Sequence, residues 1–338
     1  MINSRSRLKF KSPIPRRLRW GVAGCGNFAE HYFLPALQLA QRSKLVSVFS
    51  HDIKRAKNIA SKFSAPKAFD DYDLFLSSDI DTVYISGKNS DHYSQIIKAA
   101  KAGKNILCER PLALRSSQVE EIIKVCKEEK VKLLIDYLHR FHPLVQKAKE
   151  LINKNMIGKI ISISASYNID LSPSDNFRFN KDDSGGGVLR DLGSLIIDML
   201  RYFGGEIIDV KAYMDNVIYK SNVEDFASAI VKFEKGGYGY FNVSYNAKKA
   251  FNRVEIMGCN GSITIENSQL KRNQSTKLVI DLENEGRKVF RKRANRLSFL
   301  LRSTQKTFLK HEPPVVTGED DLVNMMLIEK IEKQCLNK

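Results

Sequence analysis

The sequence predicts an α/β fold in two parts: an N-terminal half wound around a parallel sheet, and a C-terminal α/β half with a large, mainly antiparallel sheet. Three observations carry this. A glycine turn joins the first apolar strand to a helix between Arg19 and Ala29. Apolar strands then alternate with helix-length runs as far as Ile135, and from Ile160 onward short strands follow one another across turns. A chain of 338 residues is long enough for two cored domains. No apolar run approaches the roughly 18 residues that span a bilayer. Five scattered cysteines without metal-ligand spacing predict reduced thiols, a cytoplasmic compartment and no metal site.

The first strand runs into Gly24-Cys25-Gly26-Asn27-Phe28-Ala29, the G-x-G-x-x-A form of a dinucleotide fingerprint. Its first glycine makes the tight turn, its second lets a pyrophosphate reach the backbone, and Ala29 lets helix and strand pack closely. Glycine turns also end strands for structural reasons alone, so the surroundings matter. A helical run from Ala29 to Gln41 and a second strand, Leu45 to Phe49, complete a βαβ unit. That strand ends in Ser50-His51-Asp52 rather than directly in the acid that holds ribose hydroxyls. Ser50 does not repel a 2'-phosphate, and His51, Lys54 and Arg55 attract one, which tilts the reading towards NADP; Asp52 in the acid's role keeps NAD open.

A helix over Ile53 to Phe63 and a strand over Asp81 to Ser86 come next, then a loop, Gly87 to His92, at the sheet's carboxyl edge, where ligands bind in open α/β sheets. Asn89 and His92 are cofactor candidates there. A helix over Tyr93 to Ala102 leads to the strand Asn105 to Cys108, which ends in Glu109-Arg110-Pro111. A helix over Ser117 to Lys130 and the strand Lys132 to Ile135 lead to Asp136-Tyr137-Leu138-His139-Arg140-Phe141-His142-Pro143.

These motifs, with Ala99 to Lys104, Gly158-Lys159-Ile160, the Ser184 to Asp198 run, Val223-Glu224-Asp225 and Gly258 to Ile263, occur in an order that resembles the Gfo/Idh/MocA family of NAD(P)-dependent sugar and sugar-nucleotide oxidoreductases. The resemblance covers nearly the whole chain. It implies a Rossmann dinucleotide-binding domain over 18–140 and a substrate and oligomerisation domain over 141–318. A C-terminal helix over 319–338 would pack back on the first domain, and a basic arm over 1–17 would precede it. It assigns the cofactor, NAD or NADP, to Gly24, Gly26, Asn27, Phe28, Ala29, Ser50, His51, Asn89, His92 and Glu109. Catalysis falls to Arg110, Asp191 and Tyr137, and substrate contacts to Arg140, Arg178, Leu195 and Asp198.

Two positions depart from the family pattern. Arg110 replaces the usual lysine and Leu195 the usual proton-exchanging histidine. An arginine orients and polarises an oxygen but does not cycle a proton at neutral pH, and leucine does neither. The expected activity is therefore oxidoreduction of a sugar or sugar nucleotide with weakened or altered catalysis. The competing expectation is a non-catalytic cofactor- or sugar-binding partner subunit of the same fold.

Net charge is +17. Much of it lies in the N-terminal arm and in Arg287 to Lys310, where Leu297, Leu300, Leu301 and Phe308 recur at roughly helical spacing. That segment reads as a surface helix docked on the core, with an anionic partner or a peripheral membrane contact through 287–310 as alternatives. No nucleic-acid-binding signature accompanies the charge. The second half predicts strands at 160–167, 207–213, 227–233, 238–245, 253–257, 262–266 and 277–282, then a closing helix from Glu319. The aromatic alternation of Tyr238, Tyr240, Phe241, Val243 and Tyr245 fits a strand covered on both faces, by this chain's own core or by a second copy, and the resemblance implies the latter, a homo-oligomer, dimer or tetramer.

Overall fold

The computed structural model describes residues 17–267 and 275–336. Of the basic arm over 1–17, residues 1–16 lie outside the described residues. The first half is a six-stranded parallel sheet of β1 (Leu18–Ala23), β2 (Ser43–Phe49), β3 (Lys67–Phe69), β4 (Thr82–Ile85), β5 (Asn105–Cys108) and β6 (Leu133–Ile135), in spatial order β3-β2-β1-β4-β5-β6. Its central strands are buried on both faces, which is why they read as continuous apolar runs. The helices between them are α1 (Leu34–Gln38), α2 (Ile53–Lys62), α3 (Tyr72–Leu76), α4 (Asn89–Lys101) and α5 (Ser116–Glu128).

Several local departures from expectation have clear causes. The run from Ala29 is not one helix: a π-turn over Ala29–Phe33 precedes α1, in which Pro35 sits at the start, because proline cannot donate into an unbroken α-ladder. β3 and α3 were not anticipated. They are short, and α3 is started by Asp71, whose side chain accepts from the Leu74 N–H at 2.8 Å. α4 begins at Asn89 rather than Tyr93, so the expected loop at the sheet edge is largely a helical first turn.

The second half comprises α6 (Pro143–Asn153), β7 (Ile160–Asn168), α7 (Lys181–Ser184), α8 (Ser194–Gly204), β8 (Ile207–Asp215), β9 (Phe226–Phe233), β10 (Tyr238–Ser244), β11 (Arg253–Gly258), β12 (Gly261–Glu266), β13 (Thr276–Leu282) and β14 (Gly286–Lys292). The strands form one eight-stranded sheet in the order β14-β13-β12-β11-β7-β10-β9-β8. Only β7 and β10 pair in parallel; every other neighbouring pair is antiparallel. α8 packs on the inner face, and Phe241, Val243 and Tyr245 point into that core. The expectation that β10 is covered on both faces does not hold within one chain: Tyr238 and Tyr240 are about half exposed on the outer face.

The basic segment also differs from its reading as one amphipathic helix. Residues 286–292 form the edge strand β14, reached through a tight turn with Gly286 at φ +66°. Its four exposed cations, Arg287, Lys288, Arg291 and Lys292, suit an edge that must not recruit another strand. Only α9 (Arg296–Lys310) is helical, and Leu297, Leu300, Leu301 and Phe308 are buried in the core of the first half. The apolar stripe of α9 is consumed by this docking.

The final helix, α10 (Gly318–Leu336), runs between the two cores. Towards the first half, Asp321 accepts from the Leu112 N–H at 2.9 Å, and Glu329 from the Ser116 N–H at 2.7 Å. Towards the second, Glu332 takes a two-point contact from Arg190 at 2.6 and 2.7 Å. Among the described residues, no helix is long and apolar enough to cross a membrane, and the five cysteines are unbridged.

Candidate active site

The parallel sheet's carboxyl edge and the inner face of the second sheet enclose a cavity of about 640 Å³. At its floor β1 ends in the glycine turn. Gly24 adopts φ +99°, and a Cβ there would lie 2.7 Å from the Gly87 nitrogen, so only glycine suits this crossing of two loops. Gly26 differs: a Cβ there meets nothing within 4 Å and would project into open space at the cavity wall. The first helical hydrogen bond, Glu30 N–H to the Gly26 carbonyl at 3.0 Å, leaves the preceding N–H groups available to an anion. This cradle, which a side chain at Gly26 would fill, fits a dinucleotide pyrophosphate. Asn27 and Phe28 line the same wall.

Ser50 and His51, at the end of β2, do not line the cavity. His51 is exposed, 3.5 Å from Asp91. Asp52 is occupied in capping α2, accepting from the Lys54 N–H at 2.8 Å. Arg55 reaches the cavity instead, with its Nε donating to the Cys25 carbonyl at 2.5 Å.

Asn89 lines the cavity and ties the halves together, its amide donating to the Ser184 carbonyl at 3.0 Å. His92 is buried, with Nδ1 2.8 Å from the Pro111 carbonyl, which assigns the proton to Nδ1; burial lowers its pKa and keeps it neutral. Glu109 accepts from the Tyr84 hydroxyl at 2.9 Å.

Arg110 spans the cleft. Its Nη1 donates to the Asp191 carbonyl at 2.8 Å and to Asp191 Oδ1 at 3.2 Å. Arg178 Nε and the Tyr245 hydroxyl both donate to Asp191 Oδ2, each at 3.0 Å. Burial acts to raise the Asp191 pKa, but the Arg178 and Arg110 charges and the Tyr245 hydrogen bond outweigh it and hold the carboxyl at about 2. A carboxylate so well satisfied is a poor base. It serves to fix Arg110 and Arg178. Leu195 lines the cavity beside it.

Besides Ser50 and His51, three residues assigned to catalysis or substrate do not line the cavity. Tyr137 is fully buried, donating to Asp321 Oδ1 at 2.7 Å beneath α10, because it points to the far side of the sheet's end. Arg140 and Asp198 face each other in a sealed network: Arg140 Nε to Asp198 Oδ2 at 2.8 Å, Arg140 Nη2 to Oδ1 at 2.5 Å, with His139 Nε2 and Asn324 Nδ2 completing the shell at 2.8 and 3.1 Å. These residues join the two halves and α10.

Other residues of the wall were not foreseen. Asp136 follows β6, beside Glu109, and Arg296 enters from the first turn of α9. The sheet-edge rule that singled out Glu109 applies equally to Asp136. Burial pushes Arg296 down to about 10, which still leaves it a cation at neutral pH.

A cavity at the carboxyl edge of this sheet, floored by a pyrophosphate cradle and roofed by a second-domain sheet, defines a dinucleotide-dependent oxidoreductase architecture. The chain belongs to the Gfo/Idh/MocA oxidoreductase family: residues 18–137 match the oxidoreductase family's NAD-binding Rossmann fold, and residues 145–264 its GFO/IDH/MocA C-terminal domain. It is 27% identical to a myo-inositol 2-dehydrogenase of Thermotoga maritima, covering 92% of this chain and 94% of that one. It is 26% identical to a 1,5-anhydro-D-fructose reductase of Ensifer adhaerens, over 89% and 91% of the two chains. A levoglucosan dehydrogenase solved with NADH and levoglucosan shares the fold, with a TM-score of 0.87, 21% identity and coverage of 95% of this chain and 98% of that one.

Proposed function

We propose that this protein is an NAD(P)-dependent oxidoreductase that interconverts a hydroxyl and a carbonyl on a sugar or sugar derivative. The observation that carries this reading is the cavity itself: open backbone at Gly26 at one end, and Glu109, Arg110, Asp136 and Asp191 grouped at the other. The sugar specificities of the relatives just named support the substrate class. The dinucleotide, when bound, supplies or accepts hydride. Backbone of 24–29 would hold its pyrophosphate, Arg55 a 2'-phosphate, and Arg110 and Arg178 would orient a substrate oxygen. Because Asp52 is committed to its helix cap and Arg55 lines the wall, NADP(H) is the expected preference.

Titration calorimetry with NAD(H) and NADP(H), followed by turnover on a broad panel of sugars and sugar nucleotides, tests the reading. Gly26→Val should leave the fold intact and lower dinucleotide affinity at least about tenfold, since its side chain occupies the phosphate path. Equal binding by the variant would sink the cofactor placement. The position of Arg110, held to Asp191, favours one second reading: a cofactor-binding subunit without turnover. Binding with no turnover across the panel would select it.

The outer face of the second sheet presents Tyr213, Ile230, Tyr238, Tyr240 and Met257, with Tyr240 opposite Ile230 across β10 and β9. A contiguous apolar face of this kind suits association with a second copy. Light scattering should report a dimer or larger, and Tyr240→Glu should shift it towards monomer.

A further inference from the structure

Glu109 and Asp136 end adjacent parallel strands whose register sets Cys108 beside Ile135, so the two carboxyls leave the sheet side by side. Both line the cavity, and the Asp136 backbone N–H is bound to the Cys108 carbonyl at 2.9 Å. Asp136 is 2% exposed, and neither of its carboxyl oxygens meets a donor among the described residues. Two ionised carboxyls in this place would repel each other with, among the described residues, only the Tyr84 hydroxyl, on Glu109, as a side-chain donor. One proton between them removes a charge and creates the donor that Asp136 lacks.

We propose that Glu109 and Asp136 share one proton, and that Asp136 passes it to the substrate oxygen, the task that neither Arg110 nor Leu195 can perform. The catalytic half of this rests on the oxidoreductase reading above; the shared proton does not. In the direction of reduction, the carbonyl carbon receives hydride from the reduced dinucleotide while the C=O π pair takes the proton from Asp136. An alcohol and an oxidised dinucleotide result, and the carboxyl pair, one proton short, is refilled from water. Oxidation runs the same path in reverse.

Burial raises both carboxyl pKa values, and their mutual charge raises that of Asp136 further. The groups facing the pair are Tyr84 from β4, Cys108 and Arg110 around the end of β5, Arg178 from the segment before α7, and Arg296 from α9. Arg110 and Arg178 are already engaged by Asp191. The cations therefore moderate the pair's shift without ionising both members.

Infrared spectroscopy of the ligand-free protein near neutral pH is the first test. A protonated-carboxyl band is expected in the wild type and should vanish in both Asp136→Asn and Glu109→Gln, because each new amide donates to the remaining carboxylate. A band that survives either change, or is absent from the wild type, overturns the shared proton. The second test is turnover: Asp136→Asn should keep dinucleotide affinity, measured by calorimetry, and lose about 10²- to 10⁴-fold in kcat. Wild-type-like kcat in that variant overturns the catalytic half. Should Asp136→Asn fail to fold, Glu109→Gln carries both readouts. A wild type that binds dinucleotide but turns over nothing removes the oxidoreductase reading, and the infrared band still decides the pair.

Discussion

Two walls face each other across the cavity, and they treat their carboxyls in opposite ways. On the second-domain wall Asp191 takes donors from Arg110, Arg178 and Tyr245 and is held at about 2. On the Rossmann wall Asp136 is 2% exposed and has no donor among the described residues, and burial with the neighbouring Glu109 drives its pKa well above the ordinary carboxylate range. Two carboxyls largely withdrawn from water thus take opposite protonation, because hydrogen bonds and charges decide which form is stable. A satisfied carboxylate positions its neighbours; an unsatisfied one is available to exchange a proton. Asp198, behind the cavity, belongs with Asp191 in the satisfied class.

The contrast can be broken by removing the charges one at a time. The largest effect is expected at Asp198, where Asn would leave Arg140 and His139 facing a neutral amide inside the protein. Asp198→Asn should cost about 3–5 kcal/mol in denaturant unfolding. A loss well under that would mean the network relaxes to admit water. Asp191→Asn should cost less, about 2–3 kcal/mol, because the side chain of Arg178 is 37% exposed and recovers solvation. The pH dependence has a definite sign. Asp191 has a lowered folded pKa, so its stabilisation is present above the unfolded value near 4 and is lost as pH falls towards about 2. The difference between wild type and Asp191→Asn should therefore shrink on acidification through that window.

Asp136→Asn should do the reverse. A raised folded pKa means that the wild type holds its full stability below the unfolded pKa and loses it as pH climbs towards the folded one. The variant has no such loss and gains amide donors. It should be more stable than wild type by about 1 kcal/mol at alkaline pH, the scale of one relieved buried polar group, and lose that advantage near pH 4. Thermal melts across pH measure it, and an advantage that grows on acidification would contradict the assignment of the walls.

Much of this geography was legible in the sequence because it follows from chain-local physics. Glycine turns and buried β-branched strands marked Gly24, Gly26 and the sheet-edge residues Glu109 and Arg110, and the family resemblance added Asp191 and Leu195; of these, Gly26, Glu109, Arg110, Asp191 and Leu195 line one cavity. What escaped depends on contacts distant in sequence. Tyr137 is drawn away by Asp321, 184 residues on, and Arg140 by Asp198, 58 residues on. Ser50 and His51 looked like ribose partners, yet the cap made by Asp52 turns the chain into α2 and leaves Arg55 at the wall. The basic run over 287–310 concealed a strand, because its seven exposed residues in β14 carry no buried alternation that would mark one. Asp136 went unnoticed because a motif directs attention to its own letters, whereas the lack of a donor is a property of the folded neighbourhood.

The smallest effect is expected where the family pattern would be restored. Arg110→Lys with Leu195→His places an amine and an imidazole on the second-domain wall, beside a carboxylate already held low. If the proton for chemistry resides on the Rossmann wall, the new groups duplicate a function that Asp136 performs, and kcat should change by less than about fivefold, against the 10²- to 10⁴-fold typical of gaining or losing general acid–base help. The lysine would also loosen Asp191, since a compact, strongly hydrated ammonium on a flexible stem lacks the fixed planar geometry with which the Arg110 guanidinium meets the Asp191 carbonyl and carboxylate. KM should consequently rise modestly while kcat holds. A jump of two or more orders of magnitude in kcat would show instead that proton transfer was lost from the second-domain wall and never moved. The same double change made in Asp136→Asn separates the cases: rescue there, with none in the parent, places the native proton at Asp136.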